Sequence, residues 1–299
     1  MRKQKGLIVF CSIVAVAALA TSYSVIAQGV SYRQHDGYIA ELYIEGVIAD
    51  ATRSYNQAWL LETIDELTDD SKNRAILLYL DTPGGGIYEA DEVYLALQRY
   101  KQHTGRPLYA YLGPMAASGG YYVACAADKI LANRNTLTGS IGVIFGSSLD
   151  MTGLLDKLGV RSETFHSGAN KNMLGYNEPL TDEQRSIMQS ISDEAYEQFV
   201  SIVAESRHLA LEEARALADG RIYTARQAQE RGLIDGIYSH KEALDALRSV
   251  CGVTVSTEDF RYEEKPSLRS LLIDSAFTAA ARKLESALTP RVQAWYGGQ

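Results

Sequence analysis

The stretch AILLYLDTPGGG, residues 75–86, decides the fold. Its first half, residues 75–80, is a short and continuous apolar run, which is typical of a parallel strand buried on both faces of a sheet. Three glycines end the stretch, and a sequence with helical spacing follows over residues 87–102. The order of strand, glycine-rich loop and helix predicts a βα unit, in which the loop lies at the carboxyl end of the strand.

The same order of elements occurs a second time. Residues 108–112 are predicted to form a strand, and the loop AASGG at residues 116–120 leads into a predicted helix that ends near residue 127. Because strands that alternate with helices form parallel sheets with crossover helices, we predict an α/β fold. Other predicted strands cover residues 38–48, 130–132, 141–145 and 161–166, and short helices are predicted at residues 55–67 and 153–158.

A long helix is predicted in the second half of the chain. No proline or glycine occurs between Thr181 and His208, and apolar residues recur at helical spacing. Thr181 with Gln184 three residues later matches the capping box at a helix start. Shorter helices are predicted near residues 211–218, 225–231 and 241–249, and an amphipathic helix over residues 267–288 is predicted to serve packing or oligomer contact.

Composition excludes several classes of protein. The chain has 299 residues, of which 46% are hydrophobic and 22% charged, as in ordinary folded proteins. Its net charge of −8 argues against a broad basic surface for nucleic acid. The three cysteines, Cys11, Cys125 and Cys251, lie far apart, so they form neither a disulfide framework nor a CxxC zinc or redox site.

The N-terminus carries the most uneven part of the sequence. Arg2, Lys3 and Lys5 precede residues 6–27, which contain no charge. Such a run is long enough to cross a hydrocarbon core of roughly 30 Å, and its basic flank predicts a cytoplasmic N-terminus and an exported body. The alternatives are a signal peptide cleaved after Ala27 and the hydrophobic core helix of a cytosolic protein.

The glycine-rich loop Gly84-Gly85-Gly86 is the first candidate for chemistry. Glycines let a ligand approach main-chain N–H groups, and the N–H groups at a helix start attract negative charge. The loop can therefore hold a phosphate or a developing oxyanion. It lacks the Gly-Lys-Ser/Thr of a P-loop and is not GxGxxG, and a simple tight turn is the alternative.

Ser118 is the second candidate, because it stands between small residues just before a predicted helix. An accessible hydroxyl at a helix terminus suits a nucleophile. The structural alternative is a serine that only caps the helix. The surrounding sequence is not GxSxG, so an α/β-hydrolase elbow is not supported.

A serine nucleophile needs a base, and two residues qualify. His166 ends a predicted strand and is the only histidine in a suitable place. Lys171 stands in SGANK, residues 167–171, with no acidic residue within five positions. A desolvated lysine is neutral near pH 7 to 8 and accepts a proton from serine. An ordinary solvated loop lysine is the alternative for Lys171.

Five motifs occur in an order that resembles the short, single-domain form of the signal peptide peptidase A family. These are membrane-anchored Ser-Lys peptidases with a ClpP/crotonase-type fold. The similarity runs from about residue 38 to residue 248, and DGRIY at residues 219–223 also resembles the family. The motifs are TPGGG (82–86), MAASGGYY (115–122), AADKI (126–130), LTGSIGV (137–143) and SGANK (167–171).

The resemblance implies a role for each of five residues. Ser118 would be the nucleophile, and Lys171, 53 positions later, would be the general base. That spacing is about one residue longer than is usual in the family, which a loop insertion around residues 146–152 would explain. Ser140 would orient the lysine amine, and the backbone N–H groups of Gly85 and Gly119 would form the oxyanion hole.

The resemblance also implies partners and location. The substrates would be remnant signal peptides and other unstructured or small-residue segments beside the membrane. The protein would form a homo-oligomer in which neighbouring protomers share each active site, and it would need no metal or other cofactor. The chain would comprise a cytoplasmic tail (1–5), a single transmembrane anchor (6–27), a linker (28–37), an extracytoplasmic peptidase domain (38–250) and a C-terminal extension (251–299).

Three other functions remain open from the sequence. A ClpP-like Ser-His-Asp peptidase would need a histidine after Ser118, but residues 126–165 contain none, which leaves His166. A crotonase-like acyl-CoA enzyme could use the same glycine-rich loop, although such chains are generally cytosolic. A catalytically silent membrane scaffold of the same fold would use the long helix and the C-terminal extension to assemble.

Overall fold

The computed structural model describes residues 37–252 and 255–264. The predicted anchor (6–27) and the predicted amphipathic helix (267–288) lie outside these residues. Among the helices that are described, none combines the length and the apolar character that crossing a bilayer requires.

The described residues form eight strands and eight helices. The strands are β1 (Tyr38–Glu45), β2 (Asn73–Thr82), β3 (Leu108–Ala117), β4 (Lys129–Ala132), β5 (Leu137–Gly139), β6 (Ile222–Thr224), β7 (Gly236–Ile237) and β8 (Ser256–Phe260). The helices are α1 (Gln57–Asp69), α2 (Ile87–Thr104), α3 (Gly119–Ala124), α4 (Thr152–Leu158), α5 (Asp182–Arg207), α6 (Leu211–Leu217), α7 (Ala225–Glu230) and α8 (His240–Cys251).

The strands form one mixed sheet in the order β6-β5-β3-β2-β1-β8, and β4 pairs with both β3 and β7. Only the β5–β6 pair among the described strands is antiparallel. The predicted α/β fold, with a parallel sheet and crossover helices, is confirmed. The two halves of β3 pair with different strands, residues 109–112 with β4 and residues 115–117 with β5. Because of this fork, β5 lies beside the end of β3 and next to the residue that follows it.

The main core lies on the face of the sheet that α1, α2 and α3 cover. Leu42 and Leu78, which are partners on β1 and β2, are fully buried there against Ile64 and Leu97. Burying such side chains stabilises the fold by about 1.5–3 kcal/mol each. The opposite face of the sheet packs against α8 through a smaller cluster that contains Leu77, Leu244 and Leu247 among others.

Two predicted strands are wrong. Residues 141–145 and 161–166 form no strand, and Ile144 and Phe165 are 90% and 92% exposed. Their composition favours strands, but none of the strands within residues 37–252 and 255–264 lies beside them to complete the hydrogen bonds that a sheet requires. The sequence also missed β8, which pairs with β1 and lies within the segment predicted as the C-terminal extension.

The long helix α5 is confirmed, together with its capping box between Thr181 and Gln184. Only residues near its C-terminal end, such as Phe199 and Val203, are buried against the body. Its N-terminal half and the preceding residues 144–180 are largely exposed and form what we call the arm.

Candidate active site

Ser118 lies at the junction where β3 ends and α3 begins, and its backbone has φ 53° and ψ −123°. A positive φ is unfavourable for a residue with a side chain, by about 1–3 kcal/mol. The junction is held by two hydrogen bonds: the Ser118 N–H donates to the Gly139 carbonyl at 2.8 Å, and the Tyr122 N–H donates to the Ser118 carbonyl at 2.9 Å. Strand β5, which pairs with the end of β3, and the first turn of α3 thus keep the serine in a strained conformation.

The hydroxyl of Ser118 does not cap α3. The side chain is half-buried, and its oxygen forms no hydrogen bond within the part of the chain that the structure describes. The interpretation of Ser118 as a helix cap is therefore wrong. Its hydroxyl is free to meet a ligand, which a nucleophile requires.

The glycine-rich loop is tied to the residues after β1. The Ile48 N–H donates to the Gly84 carbonyl at 3.0 Å, and the Gly86 N–H donates to the Ile48 carbonyl at 2.9 Å. These bonds bracket Gly85, whose own N–H has no acceptor among the described residues. A β-carbon at Gly85 would overlap the Ile48 carbonyl, so only glycine fits this position.

The two loops approach each other through their backbones. A β-carbon at Gly84 would lie 2.6 Å from the Gly119 nitrogen, and one at Gly119 would lie 3.3 Å from the Gly85 nitrogen. The N–H groups of Gly85 and Gly119 therefore lie close together beside Ser118. Two adjacent N–H donors beside a nucleophile are the arrangement that stabilises an oxyanion.

A cavity of about 460 Å³ opens at this place and is lined by Gly85, Ser118 and Ser140 among others. Ser140 follows β5 and also has a positive φ, of 50°. Its N–H donates to the Arg221 carbonyl at 2.8 Å, while no bond of its side chain is found within the described residues. Two free hydroxyls, of Ser118 and Ser140, therefore line one cavity.

A small apolar recess of about 30 Å³ adjoins the cavity under Ser118. The Tyr122 hydroxyl, at the recess, donates to Asp91 at 2.6 Å and accepts from Gln198 at 2.7 Å. These bonds hold the ring in place. The other lining side chains are Ile87, Ala90, Val143, Ala195 and Phe199.

Lys171 lies outside the Ser118 cavity of its own chain. It is exposed on a turn of the arm, where its N–H donates to the Gly168 carbonyl at 3.1 Å, and it does not line the Ser118 cavity. His166 is exposed just before this turn, and its ring lies 3.1 Å from the Gly168 carbonyl. A single chain thus brings together Gly85, Ser118, Gly119 and Ser140, and leaves both candidate bases outside.

Sequence reasoning missed several residues of the cavity wall. Tyr196 reaches it from α5, and Asp219 and Gly220 reach it from the loop before β6. The DGRIY motif at residues 219–223 resembles the family and includes two of these residues, but the motif alone does not show that they line the cavity.

A second cavity, of about 510 Å³, lies on the sheet face that α8 covers, and it contains none of the predicted site residues. Tyr43, Tyr79 and Tyr111 occupy matching positions on β1, β2 and β3 and form its floor. His240 and Arg261 lie at its sides.

The family model of peptidase family S49 matches residues 100–254, which is more than half of the chain. The chain belongs to peptidase family S49. The match includes Ser118, Ser140 and the arm with Lys171, and the predicted membership of the signal peptide peptidase A family is confirmed.

Several S49 relatives align with most of the folded body. A provisionally named signal peptide peptidase SppA of Enterococcus faecium is 39% identical over 226 residues, which cover 73% of this chain and 65% of that protein. A provisionally named protease of Synechocystis is 38% identical over 218 residues, which cover 72% and 75%. The chloroplastic serine protease SPPA of Arabidopsis thaliana is 34% identical over 198 residues, which cover 66% and 29%.

Proposed function

We propose that this S49 chain is a serine endopeptidase that uses a Ser118–Lys171 dyad. The observation that carries the proposal is the free Ser118 hydroxyl, held at a strained strand–helix junction beside the N–H groups of Gly85 and Gly119. The ClpP/crotonase-type assignment of the fold belongs to the same proposal. The parallel sheet with site loops at its strand ends supports it.

In the proposed reaction, the Ser118 oxygen attacks a peptide carbonyl while neutral Lys171 accepts the hydroxyl proton. The N–H groups of Gly85 and Gly119 hold the resulting oxyanion, and one such donor contributes about 3 kcal/mol. Lys171 returns the proton to the leaving amine. Water then attacks the acyl-enzyme while Lys171 takes a proton from it. Lys171 passes this proton to the Ser118 oxygen as the ester C–O bond breaks, which releases the acid product and restores Ser118 and neutral Lys171.

We infer that Lys171 reaches the Ser118 cavity of a neighbouring copy of the chain. The arm that carries Lys171 also carries a set of exposed apolar side chains, which monomeric proteins rarely display together. Formation of a homo-oligomer would bury these side chains and would also supply each Ser118 cavity with a lysine. They are Ile144, Phe145, Leu149, Leu154, Leu158, Val160, Phe165, Leu174 and Tyr176.

The proposed substrates are unstructured peptides with small side chains, such as remnant signal peptides. The recess beside Ser118 supports this, because about 30 Å³ of space admits a small apolar side chain and little more. Tyr122 and Phe199 close the recess, and the Tyr122 ring is held by hydrogen bonds to Asp91 and Gln198.

The proposed location is the cell membrane. Residues 6–27 would form a single span with the N-terminus in the cytoplasm, and the S49 body would lie on the extracytoplasmic side. The charge-free run behind Arg2, Lys3 and Lys5 supports this orientation.

The test is peptide hydrolysis by the full chain in detergent. Ser118→Ala and Lys171→Ala should each abolish cleavage of a signal-peptide substrate, whereas Lys157→Ala, a control lysine of the same arm, should leave it unchanged. Co-expressed Ser118→Ala and Lys171→Ala chains should recover about a quarter of the wild-type activity, because random mixing in a symmetric oligomer gives that share of intact sites. Activity in the Ser118→Ala or Lys171→Ala chain alone overturns the dyad. Failure of the mixture to recover activity overturns the sharing of sites.

A further inference from the structure

The turn at residues 219–221 is bonded to both sides of Ser140. The Ser140 N–H donates to the Arg221 carbonyl at 2.8 Å, and the Gly220 N–H donates to the Ile141 carbonyl at 3.1 Å. Ser140 has a positive φ of 50°, which is unfavourable without such support. The turn therefore holds Ser140 in the conformation that lines the cavity.

The same bonding continues to Ser118. Gly139, the residue before Ser140, accepts the Ser118 N–H at 2.8 Å. Gly139 has φ +86°, and a β-carbon there would lie 2.6 Å from the Tyr223 ring, which follows the turn on β6. The turn, Ser140 and Ser118 are thus connected through backbone hydrogen bonds. A displacement of the turn would therefore move both serine hydroxyls.

The turn also presents a charge to the cavity. Asp219 is the only charged side chain among the described residues that line it. Arg221 pairs with this carboxylate: its Nε lies 2.8 and 2.7 Å from the two oxygens, its Nη2 contacts Oδ2, and its N–H donates to Oδ1 at 3.1 Å. These bonds from Arg221 hold the pKa of Asp219 below its usual value.

The surrounding elements add few other titratable groups. Tyr196 faces the cavity from α5, and the Glu89 carboxylate covers Gly86 at the start of α2. Arg185, on α5, lines the neighbouring cavity beside Ile144. Asp219 is therefore the charged side chain that the described residues place in the wall of the cavity shared by Ser118 and Ser140.

We propose that Asp219 and Arg221 form a positioning element of the active site. Its backbone holds Ser140 and, through Gly139, Ser118, while Arg221 cancels the Asp219 charge so that the incoming lysine stays neutral. The inference rests on the proposed function, because it takes Lys171 as the base.

The sign of the charge effect follows from elementary electrostatics. A carboxylate without its partner stabilises a nearby ammonium and raises the lysine pKa, whereas a guanidinium without its partner lowers it. Only neutral lysine accepts the serine proton, so activity rises with pH through the lysine pKa. Removing Arg221 should move the rise to higher pH, and removing the Asp219 charge should move it to lower pH.

The experiment measures kcat and KM against pH for four variants of the full chain. Arg221→Gln should shift the alkaline rise of kcat/KM up by about one pH unit, and Asp219→Asn should shift it down by a similar amount, as expected for a nearby charge in a partly solvated site. The double variant should return the rise to the wild-type pH with a lower kcat and an unchanged KM. Arg221→Lys, which keeps the charge, should keep the wild-type pH.

Thermal unfolding and sedimentation confirm that each variant is folded and assembled. Profiles that stay at the wild-type pH in both single variants overturn the inference. If the pH profiles do not shift but Lys171→Ala is inactive in the same assay, only the inference about Asp219 and Arg221 is wrong and the proposed function stands. If Lys171→Ala is active, the proposed function fails, and the inference about the lysine fails with it.

Discussion

The main-chain N–H of Ser118 donates to the carbonyl of Gly139 at 2.8 Å. This bond joins the loop after β3 to the strand that precedes Ser140, and it sets the two serine hydroxyls around one cavity. The bond exists because β5 pairs with the last residues of β3, where Ala117 and Gly139 are partners. The fork in the sheet therefore builds the site.

Gly85→Ala should reduce kcat at least 100-fold, since losing one oxyanion-hole donor reduces kcat by about 10²–10³. A β-carbon at this position overlaps the Ile48 carbonyl and forces the loop away from Gly119. The measurement is steady-state peptide hydrolysis. Gly153→Ala is the matched control, because nothing lies within 4 Å of a β-carbon at Gly153, and activity should not change. Wild-type kcat in Gly85→Ala would remove Gly85 from the oxyanion hole.

Ser118→Gly should be more stable than Ser118→Ala, and the proposed dyad predicts that both variants are inactive. Glycine adopts φ 53° and ψ −123° without strain, and alanine does not. We expect a difference of about 1–2 kcal/mol in the free energy of unfolding, measured by urea denaturation. Equal stability of the two variants would mean that the junction is not strained.

Phe165→Asp should weaken assembly without unfolding the chain. Phe165 is 92% exposed in the single chain, so the substitution removes no packing within it. If the arm is an interface between copies, a buried unpaired carboxylate there opposes association. Sedimentation should show smaller species and hydrolysis should fall, while Glu163→Asp on the same arm leaves both unchanged. An intact oligomer in Phe165→Asp would place the interface elsewhere.

Asp235→Ala should destabilise the chain by about 3 kcal/mol, because it leaves Arg207 buried without its partner. Arg207 is 8% exposed, and its Nη2 lies 2.9 Å from Asp235, which also accepts the Ile130 N–H at 2.6 Å. Burial raises the pKa of Asp235, but the bonds from Arg207 and Ile130 outweigh it and leave the pKa below its usual value.

The stabilisation by Asp235 is therefore complete above its unfolded pKa of about 3.9 and is lost as the pH falls through the lower folded value. Urea denaturation at pH 7 measures the loss of stability in Asp235→Ala, and its repetition at pH 3 measures how much of this loss depends on the ionised carboxylate. Lys241→Ala breaks the exposed pair with Asp245 and should cost about 0.5 kcal/mol or less. A similar loss of stability in Asp235→Ala and Lys241→Ala would contradict the assignment of Arg207 as a buried cation.

Cys125 should resist alkylation in the folded protein. Burial raises the pKa of its thiol to about 12, so thiolate is scarce at pH 8. Cys251 is only half-buried, and its thiol should react faster. Mass spectrometry after maleimide treatment at pH 8 gives both rates, and urea should make them equal. Equal rates without urea would show that Cys125 is accessible.

The regular parts of the fold could be predicted because their signals are local. The apolar run at residues 75–80 and the capping residues Thr181 and Gln184 each depend on neighbours a few positions away. The strands that were wrong or missed depend on distant partners. Residues 161–166 have a strand-like composition without a partner, while Ser256–Phe260 has little apolar character and pairs with β1.

By itself, the sequence determined the family, the α/β order of elements and the identity of the candidate nucleophile, because motif order and local periodicity are properties of the chain. Only the tertiary structure decided that Ser118 is strained and uncapped, that Gly85 and Gly119 meet, and that Asp219 and Arg221 border the same cavity. It also placed Lys171 on an exposed arm, outside the cavity of its own chain. These relationships depend on which distant strands pair, since pairing between residues far apart in sequence brings the loops together.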